Sequence, residues 1–316
     1  MKHIFVNLKR FDIPKASDGI CPCENPSPWI TGVIRDSAEL GLGCLPDVTV
    51  GYMLPESLLP TAIHALSAIP AKKCEHLHIG CQSVYRQDTA LGGNFGAFTS
   101  NRPAAAMAAI GCTSTMIGHS EERKDKLSML SLYDPTLETD LNAFMKARNT
   151  VNHILRDEAL CALRRNMDVL FCVGETAQEK GEDDDLQAGR IKAALDEQLE
   201  QGLKGLEKKI AGTGRSLIIA YEPVWAIGPG KTPPGQDYIA FVSEHIKTRC
   251  GELFGREIPV LYGGGLKQEN AAAIAGVKTV DGGLVALTEF TQPIGFDVRS
   301  LKEIIMAYVK EEEADS

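Results

Sequence analysis

Short runs of β-branched and other apolar residues recur along the 316-residue chain, separated by longer stretches whose apolar positions fall three and four apart. The strand candidates are His3–Leu8, Val48–Met53, His76–Gln82, Ser114–Gly118, Asp168–Val173, Leu217–Tyr221, Ile258–Tyr262 and Val280–Val285. The spacing predicts helices over Glu56–Ile69, Pro103–Ile110, Thr139–Arg165, Leu186–Lys209, Gln236–Leu253, Gln268–Ala275 and Val298–Lys310. An acidic tail, 311–316, follows the last of these and is expected to fray. In Leu186–Lys209 the apolar residues Ile191, Ala194, Leu195 and Leu199 keep helical spacing, whereas Leu217–Ala220 is apolar without interruption. The second pattern belongs to a parallel sheet covered on both faces. Eight such alternations predict an α/β protein, a closed parallel eight-stranded (β/α)8 barrel with outer helices, in preference to a doubly wound open sheet.

No low-complexity linker divides the chain, so residues 1–316 read as a single domain. Two stretches, 12–45 and 126–166, are long for a minimal barrel and read as insertions. The first holds the Pro- and Cys-rich piece CPCENPSPW ahead of a possible helix. Surface elaboration, a roof over the active site and a remodelled subunit contact all remain open for both.

Composition narrows the function classes. Apolar residues make up 44% and charged residues 24%, the mix of a soluble globular protein with a full core. A net charge of -9 argues against nucleic acid or an anionic membrane as the main partner, yet leaves room for a small anionic substrate held by a few local donors. The opening MKHIFVNLKRF is broken at Asn7 and Lys9, too early for a signal peptide, and no apolar run reaches membrane length. Nine cysteines, an odd number and several inside apolar runs, read as reduced thiols of a cytoplasmic protein. Cys21 with Cys23, and His76 with His78, lack the second half of a zinc site, so no metal is expected.

Candidate chemistry gathers where strands end, as it does in barrels of this kind. The first strand ends in Asn7-Leu8-Lys9, and residues two apart on a strand share a face, so amide and ammonium can address one cavity. A lysine at a strand end, taken alone, is more often a solvated surface charge. The fourth strand ends in IGHSEER. Ser120 suits an N-cap and the acids after it suit a first helical turn, while a neutral His119 can donate a hydrogen bond to a substrate oxygen. A histidine merely packed at the strand end fits the same pattern. The sixth strand runs LIIAYEPVWAIGPGKTPPG, where Glu222 follows an apolar run and is suited to act as general base, or as a structural carboxylate bonded to loop N–H groups. Gly263, Gly264 and Gly265 after the seventh strand allow close backbone approach to an anion, although a bare triple glycine also serves as a turn.

Together these segments resemble the triosephosphate isomerase family. AYEPVWAIGPGK is similar to that family's base and lid segment and MIGHSEER to its histidine segment, with GAFTSNRPAAAMAAIG, FCVGET, YGGG and DGGLV in the right order around them. The likeness is strong from Gly80 to Val285 and faint across Asp12–Val48. Triosephosphate isomerase is itself the standard worked case of a glutamate base, a neutral histidine and a closing loop. The resemblance implies an aldose–ketose isomerase interconverting glyceraldehyde 3-phosphate and dihydroxyacetone phosphate through an enediolate, without cofactor or metal. It implies Glu222 as base, His119 as proton shuttle, Lys9 and Asn7 as stabilisers of the enediolate and Glu121 as their support. Pro223–Thr232 would be the lid, Glu175 would receive Trp225 as the lid shuts, and Cys172 would lie buried behind the site. Substrate phosphate would meet the N–H groups of Gly228, Gly264, Gly265 and Leu287. A homodimer is implied, the Gly96–Ser100 loop inserting Thr99 into its neighbour.

The chain departs from the family pattern at the phosphate end. Gly265 stands where serine is usual, and Ala286-Leu287, followed by Thr288-Glu289, replaces a glycine pair. Leu8 replaces a common tryptophan, Pro229 sits at the lid tip, and Pro233-Pro234 stiffen the far hinge. Three readings follow: a triosephosphate isomerase with a shifted phosphate clamp, a paralogue acting on another small ketose phosphate such as a tetrulose phosphate, or a non-catalytic sugar-phosphate-binding barrel. Retention of Asn7, Lys9, His119 and Glu222 together weighs against the third.

Overall fold

A computed structural model of the chain describes residues 1–182, 184–213, 216–228, 230–290 and 294–314. Eight parallel strands close into a barrel in sequence order. They are β1 (Lys2–Asn7), β2 (Val48–Leu54), β3 (Leu77–Cys81), β4 (Ser114–Ile117), β5 (Asp168–Val173), β6 (Leu217–Tyr221), β7 (Val260–Tyr262) and β8 (Gly282–Val285). The ring closes through β1 and β8, with His3 opposite Gly282 and Val6 opposite Val285. The helices are α1 (Pro26–Glu39), α2 (Leu59–Ser67), α3 (Ala104–Ala109), α4 (Ser120–Tyr133), α5 (Leu141–Arg164), α6 (Ala177–Lys180), α7 (Asp184–Leu203), α8 (Leu206–Thr213), α9 (Gln236–Phe254), α10 (Gln268–Ala275) and α11 (Val298–Ala314).

The uninterrupted apolar strands have a direct cause. On β5, Leu170 and Cys172 point into the barrel while Val169, Phe171 and Val173 join the layer beneath the helices. On β6, Ile218 and Ala220 point inward, and Leu217, Ile219 and Tyr221 outward. Phe5, Met53, Met116, Leu261 and Leu284 complete the inner plug, so the barrel is a packed core with its working surface at the strand ends.

Several boundaries differ from the sequence reading. Leu186–Lys209 is two helices, because the chain turns at Lys204-Gly205 between α7 and α8. Ile258-Pro259 and Val280-Asp281 are apolar or ordered but lie before the ladder pairs of β7 and β8 begin. The last helix runs to Ala314 instead of stopping at Lys310, and the remaining tail residues 315 and 316 lie outside the described residues. Within CPCENPSPW, the Asn25 side chain accepts the N–H of Ser27 and Pro26 begins the helix, so the proline-rich piece is the start signal of α1. The second long stretch is the α4–α5 pair, with Asp140 capping α5 through the N–H groups of Asn142 and Ala143. No helix among the described residues is long and apolar enough to cross a membrane.

Candidate active site

The ends of β1, β4 and β6 bring the sequence candidates together. Glu222 follows β6 directly, its N–H bonded to the carbonyl of Val173 at 2.8 Å, and its side chain is buried at 1% exposure. The carboxylate accepts the Ser120 N–H at 2.9 Å and the Ser120 hydroxyl at 3.2 Å. Its Oε1 also lies 3.2 Å from His119 Nε2. No substrate atom fits between groups that close. The carboxylate is held on Ser120.

His119 corrects one expectation. Its own Nδ1 accepts the Glu121 N–H at 3.3 Å, so His119, not Ser120, is the N-cap of α4. With Nδ1 engaged as an acceptor, a neutral ring carries its proton on Nε2, the nitrogen that faces Glu222. Ser120 is released to hold the carboxylate.

Lys9 needs a second correction. The strand stops at Asn7, Leu8 is fully buried, and Lys9 has φ 34°, so no shared strand face aligns Lys9 with Asn7. A turn does it instead: the Lys9 N–H donates to Asn7 Oδ1 at 3.0 Å. The Lys9 ammonium reaches Glu121 Oε1 at 2.6 Å, and Glu121 Oε2 is 3.8 Å from His119 Nδ1. Burial works to raise the Glu121 carboxyl, but the hydrogen bond and charge of Lys9, with His119 behind, outweigh it and leave it below its ordinary range. Gln82, passed over in the sequence as the last residue of a strand candidate, donates to Asn7 Oδ1, Lys9 O and Met53 O. Its only signal was a long polar side chain at a strand end.

Behind the base, Cys172 is fully buried, and burial together with the neighbouring Glu222 carboxylate pushes its thiol well up. The segment expected to form the lid begins as a short 3-10 turn, Val224–Ala226. Glu175 Oε1 accepts from Trp225 Nε1 at 2.6 Å, Tyr238 Oη at 2.7 Å and Tyr221 Oη at 2.9 Å. The first of these is the contact expected of a shut lid. Tyr238, from α9, was not anticipated, and its ring meets Trp225 edge-on at 5.5 Å. Pro229 at the lid tip lies outside the described residues.

At the proposed phosphate end, Gly264 and Gly265 are glycine for different reasons. A Cβ on Gly264 would sit 2.3 Å from Tyr262 Oη, whereas Gly265 has open space but φ +91°. Ala286 and Leu287 are half-buried after β8, and Glu289 turns away to accept from Ser300 at 2.5 Å. Within the described residues, the N–H groups of Gly264, Gly265 and Leu287 have no acceptor in the chain. They are available to an anion.

A cavity of about 550 Å³ opens beside His119 and Ser120. Lys9, His119 and Glu121 border one side, Val224, Ile227 and Gly228 of the lid another, and Leu127, Phe144, Arg148 and Val151 of α4 and α5 a third. The longer of the two added stretches thus walls the site. A second cavity of about 300 Å³ opens beside Asn7, Lys9, Gln82 and Glu121. Among the described residues no three His, Cys, Asp or Glu side chains cluster as metal ligands.

Residues 56–292 match the family model described as triosephosphate isomerase. A triosephosphate isomerase of Moorella thermoacetica is 33% identical over 243 residues, 75% of this chain and 81% of its own length. One from Alkaliphilus metalliredigens is 30% identical over 255 residues, 80% of this chain and 84% of its own length. The crystal structure of triosephosphate isomerase from Bartonella henselae shares the fold at TM-score 0.64 and 22% identity, covering 96% of this chain and 99% of that one.

Proposed function

Because the chain belongs to the triosephosphate isomerase family, we propose that Glu222, His119, Lys9, Asn7 and Glu121 are the machinery of its reaction. The protein is an aldose–ketose isomerase that interconverts glyceraldehyde 3-phosphate and dihydroxyacetone phosphate, a step of glycolysis. The relatives favour neither a four-carbon substrate nor a non-catalytic barrel.

One observation carries the assignment of roles: the buried Glu222 carboxylate meets His119 Nε2 at 3.2 Å, and His119 lines a cavity that Lys9 also lines. Glu222, freed from Ser120, takes the proton from the carbon next to the carbonyl, and the bonding pair moves into an enediolate. His119 Nε2–H bonds the developing oxyanion and passes a proton between the two oxygens. Lys9 supplies a positive charge, kept in place by Glu121. Glu222 then returns its proton to the neighbouring carbon, so no atom is gained or lost.

The phosphate is held by the N–H groups of Gly228, Gly264, Gly265 and Leu287. Restoring Ala286→Gly and Leu287→Gly is expected to lower KM for glyceraldehyde 3-phosphate, each improved charge-assisted hydrogen bond being worth about 1.5–3 kcal/mol at most. A coupled isomerase assay on both proteins measures it. An unchanged or higher KM in a folded double variant would mean that Leu287 does not limit phosphate binding.

The working unit is a homodimer, with the Gly96–Ser100 loop of each chain inserted beside its neighbour's site. Two exposed apolar side chains support this: Phe95 is 89% exposed, and Leu91 is fully exposed on the same segment. Phe98 is half-buried against Tyr85 at 5.6 Å and stiffens the loop from within. All nine cysteines are free, in keeping with a cytoplasmic setting.

A further inference from the structure

The two acids that follow Ser120 do different work. Glu121 faces Lys9, but Glu122 turns inward, and its Oε2 accepts the N–H of Gly118 at 2.7 Å. Its Oε1 accepts from Ser83 at 3.1 Å and from the Lys126 ammonium at 2.6 Å. Lys126 also reaches Glu158 Oε1 on α5 at 3.1 Å, and Glu158 is 3% exposed, its other oxygen having no hydrogen-bond partner among the described residues.

Gly118 is the residue before His119. It has φ +78°, and a Cβ there would lie 3.0 Å from the Cys172 carbonyl, so the chain makes its bend at a residue without a side chain. That freedom has to be removed by something else if His119 is to hold one orientation. Glu122 takes the Gly118 N–H, and Arg123 takes the Gly118 carbonyl at 2.9 Å while also bonding the Cys172 carbonyl at 2.9 Å. Both peptide groups flanking the Gly118 Cα are thus fixed from consecutive residues of α4.

We propose that Glu122 is a positioning residue for His119, locked by Lys126 and backed by Glu158, so that the α4–α5 wall sets the orientation of the imidazole. The proposal rests on the role given above to His119. Two carboxylates around one ammonium would leave a buried net charge. Burial, then the adjacent Glu122 carboxylate, raise the Glu158 carboxyl well above its ordinary range, so a proton held by this pair rests on Glu158 and relieves that charge. Glu122 itself is held below its ordinary range; burial opposes this, and the Lys126 charge and hydrogen bond overcome it.

The test uses the full chain with 15N-labelled histidine, the His119 ring signal being identified by its loss in His119→Gln. Glu122→Gln must turn an NH2 toward one of three donors. It is expected to shift the His119 ring resonance and lower kcat about tenfold, with KM for glyceraldehyde 3-phosphate changed less than about twofold. Lys126→Met should act in the same direction. Glu158→Gln keeps the donor of a protonated acid and should recover most of what Glu158→Ala loses. Thermal melts and circular dichroism establish that each variant is folded. Folded Glu122→Gln and Lys126→Met proteins with the wild-type His119 resonance and kcat would overturn the proposal. A shifted resonance with unchanged kcat would uphold the clamp and instead overturn the catalytic role of His119.

Discussion

Glu222→Gln is expected to lower kcat by about 10²–10⁴-fold while leaving the fold intact. The substitution keeps volume and shape in a buried site, and the amide oxygen can still accept the Ser120 N–H that now holds the carboxylate at 2.9 Å. What disappears is the ability to accept a proton from carbon. The phosphate contacts proposed at Gly265 and Leu287 lie elsewhere, so the loss should fall on kcat and far less on KM. A steady-state assay in both directions, with a thermal melt of the same preparation, measures it. If more than about a tenth of the wild-type rate survives, Glu222 is not the base.

Thr99→Glu is expected to convert a dimer into a monomer and to cut activity with it. The cations around the second cavity are already paired, Lys9 with Glu121, Lys126 with Glu122, Arg10 with Asp12 and Glu56, and Arg102 with Glu56. In the proposed dimer the Gly96–Ser100 loop is taken to enter that cavity of its neighbour, where a new carboxylate would find no free partner among them. An uncompensated buried charge costs about 3–5 kcal/mol, which weakens association about a hundredfold or more. Light scattering across a concentration series reads the mass, and the assay follows activity over the same range. A wild-type chain that is monomeric at micromolar concentration would remove the basis of this expectation.

The parts of the molecule legible in the sequence are those where one physical demand acts alone. Asp168–Val173 and Leu217–Tyr221 match the observed strands residue for residue, because each is packed on both faces and has no choice but to be apolar. Gln268–Ala275 matches as well, its apolar face buried at Ala271, Ile274 and Ala275 and its start marked by the Asn270 side chain accepting the Lys267 N–H at 2.8 Å. Boundaries shifted where apolarity and ladder pairing part company, as at Ile258 and Val280. Glu222, His119 and Lys9 were legible as candidates, but the local geometry that brings them together was not. Ser120 looked like a cap because serine usually is one, yet histidine took that place and left serine to hold the base. Glu122 looked like a first-turn acid serving the helix dipole. Only the packing of α5 reveals that it faces inward, since Lys126 and Glu158 are 32 residues apart in sequence.

Glu222 and His119 arrive on strands two places apart, β6 and β4, but at rest they are not held apart by the barrel. The carboxylate hangs on residue 120 and the imidazole belongs to residue 119, so one turn of chain carries both. Widening of the barrel cross-section on warming separates groups fixed to different strands. Here it would pull on the Glu222 backbone while the side chain stays moored to its neighbour's peptide. The resting distance between proton acceptor and proton donor is thereby insulated from the breathing of the sheet.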